Sequence, residues 1–124
     1  MSLVEVAKVE EIPVGKMKGF TVAGKEILVV NYQGNFYAIG KVCTHAGGDL
    51  SKGKLEGNVV TCPKHGSKFD VTTGKNVAGP KIAFIRGKTG NESAYEVKVE
   101  GNSIRVNVLE HRAKIEGLNT QASS

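Results

Sequence analysis

Cys43-Thr44-His45-Ala46-Gly47-Gly48-Asp49 and Cys62-Pro63-Lys64-His65-Gly66-Ser67 are the two stretches on which this chain turns. They contain both cysteines and two of the three histidines of a 124-residue sequence. Written as a pattern, they are C-x-H and, after sixteen residues, C-x-x-H. Thiolate and imidazole bind transition metals well, so two such pairs can hold a centre between two loops. Between them, Lys54-Leu55-Glu56 and Val59-Val60-Thr61 flank Gly57-Asn58, a hairpin signal that brings the loops back side by side. Read as residues alone, the set is compatible with a metal centre, a structural Cys2His2 zinc site, a Cys43–Cys62 disulfide or unrelated surface groups. The Cys-His, Cys-His alternation departs from the usual zinc pattern, in which Cys pairs with Cys and His with His across short gaps.

Outward from these stretches the chain reads as β structure. Leu3 to Ile12 alternates as a half-buried strand does. Phe20-Thr21-Val22 and Glu26 to Tyr32 form strands joined at Ala23-Gly24-Lys25, and Gln33-Gly34-Asn35 turns into Phe36-Tyr37-Ala38-Ile39. After the second stretch come Lys68 to Val71, the turn Thr72 to Lys75, and a further strand at Ile82-Ala83-Phe84-Ile85. Gly87 to Ser93 is polar and reads as an exposed loop. Ala94 to Glu100 and Ser103 to Val108 make the clearest hairpin, around Gly101-Asn102. Only Leu109–Glu116 has a helical pattern, with Gly117 as its stop and His111 as an exposed residue without a role. Many short strands with glycine turns predict an all-β antiparallel sandwich or barrel with a short C-terminal helix.

Composition narrows the function. The longest aliphatic run, Ile27 to Val30, is far too short to cross a bilayer, and the N-terminus has no secretory pattern. The expectation is a cytoplasmic chain without a membrane span, whose two cysteines are free or metal-bound. The net charge is +5, yet lysine and arginine are scattered with no two adjacent and aromatics are few, which argues against nucleic acid. A solvated basic surface accounts for that charge by itself, and docking to an acidic protein is the secondary reading.

Cys43-Thr44-His45 with Cys62-Pro63-Lys64-His65-Gly66 resembles the paired cluster-binding loops of Rieske iron–sulfur proteins. The resemblance covers about residues 1–108 and is specific at the two motifs. It implies a Rieske domain over 1–108, a cluster-binding subdomain at about 41–80 and a separate helix and tail over 109–124. It also implies one [2Fe–2S] cluster, with Cys43 and Cys62 on one iron and His45 and His65 on the other. Two ferric ions, two sulfides and two thiolates sum to zero charge, so such clusters accept an electron at roughly −150 to +300 mV, against about −400 mV for four-Cys plant-type ferredoxins.

Respiratory members of that family carry an extra cysteine in each loop, joined in a disulfide; Gly48 and Lys64 stand there in this sequence. Ser67 matches a hydroxyl that donates to a bridging sulfide, while Phe69 replaces a donating tyrosine. One donor kept, one lost and no disulfide imply a potential below the respiratory type. Gly79-Pro80 resembles the proline loop that covers the cluster.

Family members also occur inside oxygenases, where a mononuclear iron needs two His and a carboxylate. With His45 and His65 used, only His111 is left, and no G-x-G-x-x-G loop is present for a nicotinamide or flavin. The expected function is a single-electron carrier between a reductase and an acceptor such as an oxygenase, docking near His45 and His65. An electron-transfer subunit of a larger oxidoreductase or respiratory complex, and a zinc-stabilised binding module, are the alternatives. A red-brown protein separates the iron–sulfur readings from the zinc one.

Overall fold

The computed structural model describes residues 3–44, 47–64, 66–78, 81–82, 85–86 and 90–108. In chain order the strands are β1 (Leu3–Lys8), β2 (Met17–Val22), β3 (Lys25–Tyr32), β4 (Asn35–Gly40), β5 (Lys54–Glu56), β6 (Val59–Thr61), β7 (Lys68–Asp70) and β8 (Asn76–Ala78). They continue as β9 (Lys81–Ile82), β10 (Ile85–Arg86), β11 (Ala94–Tyr95), β12 (Val97–Glu100) and β13 (Ser103–Asn107). Single 3-10 turns cover Val9–Glu11 and Leu50–Lys52.

The architecture is organised around β3. Side chains alternate across a strand, so a run in which every residue is buried needs a wall on each side. Ile27, Leu28, Val29 and Val30 are all fully buried. Ile27 and Val29 join Ala38 of β4 against Ala7 of β1 and Ile104 and Val106 of β13. Leu28 and Val30 face the other way, with Ile39, toward Leu50, Val60, Phe69 and Val71. The middle layer is the sheet β11-β4-β3-β2. One outer layer is β1-β13-β12, and the other is the meander β5-β6-β7-β8, which carries the second cysteine loop between β6 and β7.

Two-residue turns set the register of the middle sheet. Ala23 and Gly24 (φ 51° and 80°) and Gln33 and Gly34 (φ 55° and 90°) are left-handed at both positions. That is the geometry whose twist matches antiparallel strands. Met17 thereby pairs with Val30, and Val30 with Tyr37. No sheet closes on itself among the described residues, so of sandwich and barrel the molecule is a layered sandwich.

Four expectations are corrected in detail. The first strand ends at Lys8 rather than Ile12, because the Glu11 carboxylate accepts the Lys8 amide (3.0 Å) and the Ile12 amide donates to Val9 (3.2 Å), which closes a turn. Ala94 to Glu100 is not one strand: β11 pairs with β4, the chain leaves the ladder at Glu96, and β12 pairs with β13. Lys81–Ile82 and Ile85–Arg86 pair with each other, Ile85 opposite Ile82, instead of running on as one strand. The loop ending at Ser93 is not uniformly exposed, since Glu92 is buried. Leu109–Glu116, His111 and Gly79-Pro80 lie outside the described residues.

Candidate functional site

Both cysteines start a six-residue loop, and the two loops are built alike. Residues 43–48 are closed by the antiparallel bridge Val42–Asp49, and residues 62–67 by the pair Thr61–Lys68 of the β6–β7 hairpin. In the first loop the Cys43 amide donates to the Gly48 carbonyl (2.8 Å) and the Cys43 carbonyl accepts from Gly47 (3.0 Å). In the second the Cys62 amide donates to the Ser67 carbonyl (2.7 Å) and the Cys62 carbonyl accepts from Gly66 (3.2 Å). The fifth residue is glycine in both because it turns left-handed, at φ 71° for Gly47 and 80° for Gly66, where a Cβ is costly.

These loops put both cysteines at the wall of one apolar core. Cys43 and Cys62 are each 2% exposed and pack with Leu28, Val30, Ile39, Leu50, Val60, Phe69 and Val71. Neither is in a disulfide. Ser67, last in the second loop, is fully buried, and Phe69 fills the core behind it. His45 and His65 occupy the third and fourth sequence positions of the two loops and lie outside the described residues.

The loops also touch each other. A Cβ placed on Gly48 would lie 2.8 Å from Cys62 Sγ and 3.3 Å from Lys64 Cγ, so the absence of a side chain is what lets the first loop approach the second sulfur. The same contact puts Gly48 beside Lys64, as expected for two positions that a disulfide bridges in other proteins.

Polar groups pin the first loop from outside. Asp49 accepts from the Ser51 amide (2.9 Å) and hydroxyl (2.6 Å), capping the Leu50–Lys52 turn, and that hydroxyl leads in holding its carboxyl below the usual range. Lys41 pairs with Glu26 at 2.8 Å. Glu92 reaches in from the loop before β11, and its Oε2 accepts the Thr44 amide at 2.9 Å. Burial raises the Glu92 carboxyl to about 7, against the opposing pull of that hydrogen bond. Sequence reasoning missed Glu92. One acid in a polar, glycine-bearing loop has no periodicity, and only the pairing of Ala94–Tyr95 with Ala38-Ile39 carries it to Thr44.

Two matched loops with a buried, reduced thiol at the head of each suit a metal centre shared between them. The family model for the Rieske [2Fe-2S] domain matches residues 2–98. The chain belongs to the Rieske [2Fe–2S] family. It is 35% identical over 105 residues to the ferredoxin component of the naphthalene 1,2-dioxygenase system of Pseudomonas aeruginosa, which covers 85% of this chain and 94% of that one. Among solved structures it resembles the ferredoxin of carbazole 1,9a-dioxygenase from Nocardioides aromaticivorans IC177 (TM-score 0.72, 31% identity, 86% of this chain and 97% of that one). It also resembles a chain in the complex of reduced oxygenase and oxidised ferredoxin in carbazole 1,9a-dioxygenase (TM-score 0.77, 28% identity, 87% and 94%).

As a Rieske protein it uses a [2Fe–2S] cluster and carries electrons. The residues present fit that group. Two cysteines outside any disulfide face one core, and a glycine keeps the space beside Cys62 Sγ clear. When bound, the cluster supplies a one-electron couple. The described residues do the rest. The loop backbones fix the two sulfur positions, the apolar core keeps water from the thiol side, and Lys41 outside pairs with Glu26 and Asp49.

Proposed function

We propose that this chain is a Rieske ferredoxin that takes single electrons from a reductase and delivers them to an oxygenase acting on aromatic rings. Cys43 and Cys62 hold one iron, and His45 and His65 hold the other and face the docked partner. Residues 1–108 form the working domain, its cluster-binding part at about 41–80, and 109–124 form an appended segment. The chain is a carrier without a substrate site of its own. Within these 124 residues His111 is the one histidine left over, too few for a two-His, one-carboxylate iron site. The cytoplasm, where free thiols stay reduced, is its compartment in this reading. No helix among the described residues is long and apolar enough to cross a membrane.

The observation that carries the reading is the matched pair of loops, each led by a buried cysteine outside any disulfide and each containing one histidine in sequence. Relatives named as ferredoxin components of dioxygenase systems support the oxygenase as acceptor. Analysis of anaerobically purified protein for iron and acid-labile sulfide tests the assignment, together with electron paramagnetic resonance of the reduced form. Two irons and two sulfides per chain, with a spectrum that changes on substituting His45 or His65, are expected. A colourless protein containing zinc overturns it.

A further inference from the structure

The segment before β11 is strapped across the base of the first metal-binding loop. The Glu92 amide donates to the Gly74 carbonyl (2.7 Å), the Gly40 amide to the Ser93 carbonyl (3.0 Å), and the Thr44 hydroxyl to the Gly90 carbonyl (2.7 Å). These bonds hold the strap with backbone groups and one hydroxyl. The Glu92 carboxylate then adds something different: Oε2 accepts the Thr44 amide, inside the Cys43-Thr44-His45 motif itself. A clearing is made for it, since a Cβ on Gly40 would collide with Glu92 Oε1. Only 7% of the residue is exposed. Burying a carboxyl is costly unless its bonds repay it, and a strap that is already fastened does not need one.

We infer that Glu92 is a positioning residue for the cluster, holding the peptide that joins Cys43 to Thr44 and thereby the placement of the donors on either side. The inference rests on the ligand assignment proposed above. It acts through geometry: an acceptor oxygen 2.9 Å from the Thr44 nitrogen holds the N–H direction, and with it the plane of the Cys43–Thr44 peptide.

The test compares wild type with Glu92→Ala and Glu92→Gln, each loaded with cluster and checked for fold by circular dichroism. Midpoint potential, the resonance spectrum of the reduced form, and hydrogen exchange at the Thr44 amide are measured. Glu92→Ala is expected to shift the potential, alter the spectrum and speed Thr44 exchange about tenfold, the equivalent of one lost hydrogen bond. Glu92→Gln keeps an oxygen at the same reach and restores the wild-type spectrum and exchange rate. A folded, loaded Glu92→Ala protein with wild-type potential and spectrum overturns the inference. So does a Glu92→Gln protein whose spectrum changes while Thr44 stays protected, since charge rather than position would then be acting. If Glu92→Ala does not fold, Glu92→Asp decides: one methylene shorter, it is expected to move spectrum and exchange together, and unchanged values in both overturn the proposal. A wild-type protein without iron and sulfide sinks the ligand assignment instead, a failure the Thr44 exchange measurement distinguishes from failure of the Glu92 contact.

Discussion

Replacing Gly48 with alanine puts a methyl group 2.8 Å from Cys62 Sγ. Optimal separations between such heavy atoms are about 3.5–4.0 Å, so the carbon or the sulfur must move by roughly 0.7–1.2 Å. The neighbouring Lys64 Cγ, 3.3 Å away, belongs to a flexible side chain and yields at little cost. The sulfur does not yield: it is buried in the core and, in the proposed ligand set, tied to iron. Overpacking of this kind costs about 1–3 kcal/mol. For 124 residues the unfolding entropy is about 0.26 kcal/mol/K, so each kcal/mol lowers Tm by about 4 °C and the expected fall is roughly 4–12 °C. Thermal unfolding is followed by far-ultraviolet circular dichroism and by cluster absorbance on the same sample, with iron counted per chain. Cluster absorbance is expected to disappear before secondary structure does, because the strain falls on the sulfur that holds iron in the proposed ligand set. Gly47→Ala is the control: φ is 71° there and, among the described residues beyond its chain neighbours, no atom lies within 4 Å of the added carbon, so stability falls by about 1–2 kcal/mol without a change in the cluster spectrum. A Gly48→Ala protein with wild-type Tm and full iron content would refute the close approach of the two loops.

Ser67→Ala removes a fully buried residue's hydroxyl from the end of the second loop and is expected to lower the midpoint potential, measured by voltammetry; an unchanged value removes Ser67 from the cluster's hydrogen-bond donors. Phe69→Ala empties the space between the middle sheet and the cluster-bearing meander, and should cost about 3–5 kcal/mol in denaturant unfolding, with a midpoint near wild type counting against that packing. Glu92 predicts a pH dependence with a definite sign. Its folded value, about 7, lies above the ordinary 4.5, so its favourable contribution is complete below pH 4.5 and is lost as pH rises to about 7. The loss amounts to about 3 kcal/mol, and Glu92→Gln, which cannot ionise, should escape it, gaining stability over wild type between pH 5 and pH 8. Parallel stability profiles for the two proteins would show that Glu92 does not titrate in that range.

The features legible in the sequence were those encoded by neighbours along the chain. Ala23-Gly24, Gln33-Gly34 and Gly57-Asn58 mark turns because a left-handed backbone has few residue choices, and all three turn where their composition indicates. What depends on distant partners was harder to read. The run Ile27 to Val30 excludes a bilayer span by its length, yet its physical meaning is a strand walled on both sides, which needs the two cores to be seen. The alternation of Ala94 to Glu100 encodes which side of a strand is buried and not which sheet it joins, so the switch at Glu96 is invisible to it. At the site, both cysteines were readable from residue type, and the structure brings them to one core. The likeness of the loops, cysteine first and glycine fifth, is present in the sequence but is recognisable only once the six-residue closure is known.

β3 belongs to two cores at once, with Ile27 and Val29 in one and Leu28 and Val30 in the other. A breathing motion that opens the metal-binding side must therefore drag the sandwich with it. For a centre whose charge changes by one unit at each encounter, a stiff surround keeps the accompanying nuclear rearrangement small and the exchange fast. The speed of this carrier thus depends in part on a strand that contributes none of its ligands.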